Sequence, residues 1–201
     1  MRLLVATTNR DKLREIRSLL SNVEIELLTL RDLDPIEEPD ETGATFAENA
    51  RQKAYHYAAA SGLPTVAEDS GLVIDALDGE PGVRSARFLR PDASYPERFI
   101  EIFKRLEQHP ERGRAARFVC AVAVVENGQI LFETTGTIEG EIASPRGEHG
   151  FGYDPIFYYP PYRSTLAEVS EGAKLAVAHR GQAFRALASW LHEKSGQGSP
   201  A

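Results

Sequence analysis

The chain has 201 residues, of which 42% are hydrophobic and 26% charged, a composition typical of a globular domain. This length can bury one substantial core but is short for two independent domains. We therefore expect residues 1–201 to form a single domain, with a frayed tail from about residue 195 onwards. The formal net charge of −7 argues against a protein that wraps polymeric nucleic acid, which needs a basic face. This net charge is compatible with a small anion that a few lysines and a metal ion bind.

Three further observations bear on location. No stretch reaches the ~20 consecutive apolar residues that a membrane-spanning helix needs, so no membrane partner is expected. The first apolar run ends at Ala6, short of the core of a secretory signal. The single cysteine, Cys120, excludes an intrachain disulfide and a cysteine-cluster metal site, and its apolar neighbours predict a small core residue. A cytoplasmic protein is the expectation.

The first predicted elements are a strand from Arg2 to Ala6 and an amphipathic helix from Asp11 to Leu20. The loop between them is neither a P-loop nor a Gly-x-Gly-x-x-Gly turn. It places hydroxyls, an amide and Lys12 at the start of a helix, which is a plausible anion site. The alternative is that Asn9 or Asp11 only caps the helix and that Lys12 is solvated.

An acidic loop, residues 34–43, precedes the next predicted helix. Its five carboxylates favour a solvated loop, with a metal ligand as the alternative. The helix is predicted to begin at Thr45, with Glu48 completing a capping box. Asn49 and Lys53 lie four residues apart on one face of it, which is either solvated or turned towards a cleft.

The stretch from Thr65 to Gly71 combines a short apolar run with two adjacent carboxylates. The pattern predicts a buried strand that ends at Ala67, and Ser70-Gly71 then predicts a turn. Neighbouring side chains of a regular strand point to opposite faces, so Glu68 and Asp69 share one site only if the chain bends. Such a pair can hold a divalent cation and deprotonate a water, although a solvated acidic turn is the alternative.

Further along, Asn127-Gly128 separates two long predicted strands and predicts a hairpin, which makes the sheet mixed rather than purely parallel. Three glycines between residues 147 and 152 then indicate a loop whose backbone packs close to a neighbouring group. Its aromatic and acidic side chains can form a wall and an acceptor for a flat base, with a purely structural turn as the alternative.

The last predicted helix begins near His179 and Arg180. Both add positive charge to the positive end of the helix dipole, which is unfavourable unless something anionic or electron-rich lies nearby.

Six motifs carry a family resemblance. They are Thr7–Lys12, Glu41–Asn49 with Lys53, Glu68–Leu72, Pro81–Arg87, Gly150–Pro155, and Ser170–Lys174 followed by His179–Gly181. Each motif alone is weak, but in this order they make the chain resemble the inosine/xanthosine triphosphate pyrophosphatases over nearly its whole length. Thr8, His149 and Gln182 depart from residues common in that family, and His149 borders the glycine-rich loop.

The resemblance implies an elongated, two-lobed α/β domain. It has a long mixed twisted sheet flanked by helices and an active-site cleft between the lobes, and it forms a homodimer. It further implies Mg²⁺-dependent hydrolysis of ITP, dITP and XTP to the nucleoside monophosphate and pyrophosphate.

The resemblance also assigns roles to residues. Asp69 is the general base, and Glu68 and Glu38 bind the metal, with Glu37 as the alternative to Glu38. The implied polyphosphate contacts are Thr7, Thr8, Asn9, Arg10, Asp11, Lys12, Lys53 and Lys174, Ser70 touches the substrate, and Phe151, Gly152, Tyr153, Asp154, His179 and Arg180 surround the base.

Two other functions remain open from the sequence. One is a sister pyrophosphatase for modified pyrimidine nucleotides. The other is a nucleotide sensor without turnover, against which the retained carboxylates and lysines argue.

A pocket that hydrogen-bonds a 6-keto group rejects adenine, whereas the exclusion of guanine is not explained by any residue of the sequence.

Overall fold

The computed structural model of the chain describes residues 2–196, and the frayed tail expected from about residue 195 onwards lies outside them except for residues 195 and 196, which end the last helix. The strands are β1 (Arg2–Val5), β2 (Glu26–Thr29), β3 (Thr65–Ile74), β4 (Ala115–Glu126), β5 (Gln129–Ile142), β6 (Phe157–Tyr159) and β7 (Ser164–Thr165). The α-helices are α1 (Arg10–Leu19), α2 (Phe46–Ser61), α3 (Tyr95–Leu106), α4 (Glu171–Val177) and α5 (His179–Gly196). None of the helices in this part of the chain combines the length and hydropathy of a membrane span.

The strands form one seven-stranded sheet in the order β2-β1-β3-β4-β5-β6-β7. β1 pairs in parallel with β2 and β3, whereas β6 pairs antiparallel with β5 and β7, so the predicted mixed sheet is confirmed. β4 and β5 are joined by Asn127 and Gly128 alone, and both residues have positive φ, 49° and 71°. These are the angles that a two-residue hairpin turn requires.

Two compact units divide the chain. The first comprises residues up to Asp69, Cys120–Gly136 and residues from His179 onwards, and the second comprises Ser70–Val119 and Thr137–Ala178. The first unit has one apolar core between its strands, α1 and α5, and another between its strands and α2. The second unit has a single core, which α3 supplies with Phe99, Ile102 and Leu106.

β3 is longer than the sequence predicts. It continues through Ser70 and Gly71 to Ile74, so the predicted turn is wrong. A Cβ added to Gly71 would lie 2.3 Å from Ser85 Oγ, and that hydroxyl accepts a hydrogen bond from the Leu72 N–H at 2.9 Å. Gly71 is therefore needed for the close approach of another segment to the strand, not for a change of chain direction.

Gly71→Ala is accordingly expected to lower the free energy of unfolding by about 1–3 kcal/mol, the usual cost of overpacking a buried site. Urea denaturation measures this change. Gly172→Ala in α4 is the matched control, because an added Cβ there has nothing within 4 Å, and its stability should be unchanged or slightly raised. Equal stability of the two variants would contradict the packing argument.

Candidate active site

Glu68 and Asp69 occupy successive positions of β3 and therefore point to opposite faces of the sheet. Val66 belongs to the core that α1 and α5 cover, and Ala67 belongs to the core that α2 covers. With a period of two residues, Glu68 shares the side of Val66 and Asp69 the side of Ala67. The bend that was predicted to bring the two carboxylates into one site is absent, and they have different direct partners, although the charges of Lys12 and Lys53 act on both.

The Glu68 carboxylate is buried among hydrogen-bond donors. Its Oε1 lies 2.9 Å from Lys12 Nζ and accepts from Arg180 Nη2 at 3.2 Å, while its Oε2 accepts from the Cys120 thiol at 3.4 Å. Burial opposes ionisation, but Arg180 and Lys12 outweigh it and hold the pKa of Glu68 well below its ordinary value. Glu68 is therefore ionised at neutral pH.

The Asp69 carboxylate faces α2. Asn49 Nδ2 donates to its Oδ2 at 3.1 Å, and Lys53 Nζ donates to its Oδ1 at 3.0 Å. The same ammonium group donates to Glu41 Oε1 at 2.8 Å. Burial raises the pKa of Asp69 above its ordinary value, against the attraction of Lys53. The open question about Asn49 and Lys53 is thus answered, because both turn towards the carboxylates and Asn49 is fully buried.

Two adjacent carboxylates with pKa values displaced in opposite directions are chemically distinct groups. Such a difference is what separates an electrostatic role from a proton-transfer role in hydrolytic enzymes. Glu68 keeps its charge, which suits a ligand for a cation. Asp69 binds a proton more readily than an ordinary aspartate, which suits a general base.

The loop before α1 combines both interpretations made from the sequence. Asn9 Oδ1 caps the helix by accepting from the N–H groups of Asp11 and Lys12 at 2.9 and 3.0 Å. Thr7 Oγ1 in turn accepts from the Asn9 N–H at 3.2 Å. Lys12, however, is not solvated but paired with Glu68. The remaining exposed side chains of the loop are Thr8, Asn9 and Arg10.

Glu41 is the carboxylate that the acidic loop brings to Asp69 and Lys53. Sequence reasoning did not single it out, although it opens the motif that ends at Asn49. Glu38 is exposed, and its charge adds to burial in raising the pKa of Tyr57. The assignment of Glu38 to a metal remains a prediction.

A second cluster of predicted site residues lies in the glycine-rich loop and α4. Lys174 Nζ donates to Asp154 Oδ2 at 2.5 Å and lies 4.5 Å from the centre of the Phe151 ring. Asp154 Oδ2 also accepts from the Phe151 N–H at 2.8 Å, and Tyr153 donates its hydroxyl hydrogen to the Ser85 carbonyl oxygen at 2.9 Å. Lys174, predicted at the polyphosphate, thus contacts two residues predicted at the base.

Arg180 lies in the first turn of α5 and is buried. Its Nη1 donates to Glu15 Oε2 at 2.7 Å and its Nη2 to Glu68, so the guanidinium lies between two carboxylates. These carboxylates are the anionic partners that the helix start required. A base contact of Arg180 remains a prediction. Glu15 was missed, since nothing in its own neighbourhood indicates a partner 165 residues away.

His179 begins α5 beside β5. It is 5% exposed, and a Cβ added to Gly136 would lie 2.1 Å from its carbonyl oxygen. Gly136 thus allows β5 to contact the start of the helix directly.

Cys120 is expected to be chemically inert in the folded protein. Burial, together with the adjacent Glu68 carboxylate, raises the pKa of the thiol well above its ordinary value, so the reactive thiolate is scarce. A thiol reagent such as DTNB should detect no thiol in the native protein and one in guanidinium chloride. Rapid reaction of the native protein would show that this side of β3 opens to solvent.

The fold and the site define a mixed α/β protein in which carboxylates and lysines converge at the middle of one strand. The chain belongs to the Ham1 family, whose model matches residues 3–190. It is 44% identical over 191 residues to the dITP/XTP pyrophosphatase of Geobacter sulfurreducens, which covers 94% of this chain and 96% of that protein. The solved structure of a HAM1 protein from Coxiella burnetii superposes with a TM-score of 0.90 at 41% identity, covering 96% and 99% of the two chains.

Proposed function

We propose that the chain hydrolyses the non-standard purine nucleoside triphosphates dITP, ITP and XTP to the nucleoside monophosphate and pyrophosphate. This reaction clears deaminated purines from the nucleotide pool. Family membership and the names of the relatives support it. The observation that carries it is the pair Glu68 and Asp69, adjacent in β3, each beside a lysine and with pKa values displaced in opposite directions.

Lys12 and Lys53 are the proposed ligands of the polyphosphate. Both are compact charges paired with carboxylates, and an ammonium group on a flexible stem can exchange such a partner for phosphate oxygens. The half-buried Thr7 hydroxyl and the exposed side chains of Thr8 and Asn9 lie at the start of α1, where phosphate is favoured.

Asp69 is the proposed general base. It would take a proton from a water molecule. The oxygen of that water bonds to the α phosphorus as the anhydride bond between the α and β phosphates breaks. Pyrophosphate then leaves with the electron pair of that bond. Lys53 and Asn49 fix the carboxylate in one orientation, which suits it to receive the proton.

Mg²⁺ is the proposed cofactor, and the oxygen donors present suit it. In residues 2–196 no three side chains from His, Cys, Asp and Glu form a metal-binding group. Mg²⁺ commonly uses only one or two protein carboxylates and completes its shell with water and substrate phosphates. Glu68 would hold it with Glu38 from the acidic loop, or with Glu37 as the alternative to Glu38. The ion would supply positive charge at the phosphates and acidify a bound water.

Phe151 to Asp154, with Lys174, are the proposed base-recognition residues, together with His179 and Arg180. Backbone N–H groups and the Lys174 ammonium are donors that match a 6-keto oxygen. The 6-amino group of adenine would leave such donors unpaired, which is the discrimination that buried polar groups achieve most strongly.

A homodimer, a single domain over residues 1–201 and a cytoplasmic location complete the proposal. The homodimer rests on the family resemblance, the single domain rests on the length of the chain, and the location follows from substrates that belong to the cellular nucleotide pool. Light scattering that gives the mass of one chain would contradict the dimer, and two separate unfolding transitions would contradict the single domain.

The test is a substrate panel of XTP, dITP, ITP, GTP, ATP and a modified pyrimidine triphosphate, each with Mg²⁺. Products are resolved by ion-exchange chromatography and phosphorus NMR. The expected result is monophosphate and pyrophosphate in equal amounts from the first three substrates. Orthophosphate with a diphosphate would refute the cleavage site, and unchanged triphosphates would refute the enzymatic function.

A further inference from the structure

Arg98 is a buried arginine in the first turn of α3. Only 3% of it is exposed, and no carboxylate of the described residues lies within ion-pair distance. Its Nη1 donates to the Ser85 carbonyl oxygen at 3.5 Å and its Nη2 to the Pro91 carbonyl oxygen at 3.4 Å, both long contacts. Its Nε has no hydrogen-bond partner in the described part of the chain.

This arrangement is costly for folding. A buried cation without an anionic partner is destabilising, and a positive charge in the first turn opposes the helix dipole. The apolar stripe of α3, formed by Phe99, Ile102 and Leu106, packs into the core without help from Arg98. The apolar packing of α3 therefore gives no reason for an arginine here, and local rules are often broken at functional sites.

The contacts of Arg98 lead to the glycine-rich loop by two routes. The Ser85 carbonyl oxygen that accepts from Arg98 also accepts the Tyr153 hydroxyl at 2.9 Å. The guanidinium lies 4.9 Å from the centre of the Tyr95 ring, and this ring packs edge-on against Tyr153 with centroids 5.2 Å apart. Burial raises the pKa of Tyr153, and the nearby Arg98 charge opposes this rise. Arg98 thus contacts both groups that hold Tyr153, namely the carbonyl oxygen that accepts the Tyr153 hydroxyl and the ring that packs against the Tyr153 ring.

Tyr95 also borders the loop backbone. A Cβ added to Gly152 would lie 3.5 Å from the Tyr95 hydroxyl, so the loop passes directly over this ring. The Ser85 hydroxyl accepts the Leu72 N–H of β3 at 2.9 Å, so the residue that receives Arg98 and Tyr153 is itself fixed to the central sheet.

We propose that Arg98 is a positioning residue for base recognition, which fixes Tyr153, and with it the loop from Phe151 to Asp154, against Ser85 and Tyr95. This inference rests on the proposed function, in which that loop recognises the base. Arg98 touches neither substrate nor reacting atoms. Its loss should loosen the loop and weaken discrimination between bases, while the chemistry at Glu68 and Asp69 continues.

Arg98→Met tests the proposal, because methionine keeps much of the length and apolar volume of the side chain but removes the charge and the donors. We expect KM for XTP to rise about tenfold and the preference for XTP over ATP to fall by a similar factor, with kcat changed less than about twofold. Hydrogen exchange of the amides in residues 150–157 should become faster. Stability to urea should be unchanged or higher, because a buried unpaired charge has been removed.

Arg105→Met is the matched control, since Arg105 lies two turns further along α3 and pairs with Glu101 and Glu80. It should leave KM, base preference and loop exchange as in the wild type. Tyr153→Phe should raise KM as Arg98→Met does, and the double variant should show little additional effect, because the two residues act as a unit. Arg98→Lys should restore part of the loop protection.

The outcomes separate this inference from the proposed function. If the wild type releases pyrophosphate from XTP but Arg98→Met leaves KM and loop exchange unchanged, the positioning role is refuted. A loss of stability with kcat and KM both impaired would show a merely structural role and would also refute it. If the wild type hydrolyses no triphosphate, the proposed function fails, and loop exchange still tests whether Arg98 holds Tyr153.

Discussion

Asp69→Asn should lower kcat for XTP at least about 100-fold, because an amide cannot accept the proton that a general base removes. Binding of XTP should persist, since the lysines and Glu68 are untouched, and isothermal titration can measure it. Stability should not fall. A pKa raised in the folded state means that the favourable contribution of Asp69 is present at low pH and lost as the pH rises through that pKa, so at neutral pH the ionised group is a cost.

Asp75→Asn serves as the comparison. Asp75 follows β3 directly, is exposed and pairs with Arg117 at 2.7 Å. Its replacement should leave kcat within about twofold, because it is a surface substitution. An Asp69→Asn enzyme that kept more than about a tenth of the wild-type kcat would remove Asp69 from the role of base.

Arg180→Met should lower the free energy of unfolding by about 3–5 kcal/mol, the cost of removing one partner from a buried ion pair. The substitution leaves Glu15 and Glu68 buried without the guanidinium that joins them. Urea denaturation measures the loss. Arg180→Met combined with Glu15→Met should recover part of it, because one of the stranded carboxylates is then gone.

Arg185→Met, an exposed position of the same helix, is the control and should change stability by no more than about 0.5 kcal/mol. The base contact implied by the family resemblance gives the opposite expectation for Arg180→Met: unchanged stability with a reduced preference for XTP over ATP. Stability and base preference, measured together, decide whether Arg180 serves mainly to pair with the two carboxylates or to contact the base.

Local signals in the sequence predicted local structure well. Thr45 and Glu48 form the capping box that their spacing indicates, and Asn127-Gly128 makes the turn that its dipeptide favours. Both depend on groups within a few residues of each other, so the information lies in one short stretch. The six motifs likewise identified the family, although they did not show how their side chains pair.

Interactions between distant segments could not be predicted in this way. Ser70-Gly71 has the composition of a turn, and only the hydroxyl of Ser85, which packs against Gly71, explains why the strand continues. Arg180 and Glu15 are joined by packing of α1 against α5, and neither neighbourhood indicates the other. Glu41 was overlooked because five carboxylates of one loop look alike until the fold selects one.

The regularity of β3 makes the two carboxylates sensitive to residue count. Deleting or inserting one residue between Thr65 and Glu68 would shift the rest of the strand by one position, and each side chain would move to the other face. Glu68 would then face Asn49 and Lys53, and Asp69 would face the thiol and guanidinium, without any change in amino-acid composition at the site. The different surroundings of the two carboxylates thus depend on which of the two alternating faces of the strand each residue occupies.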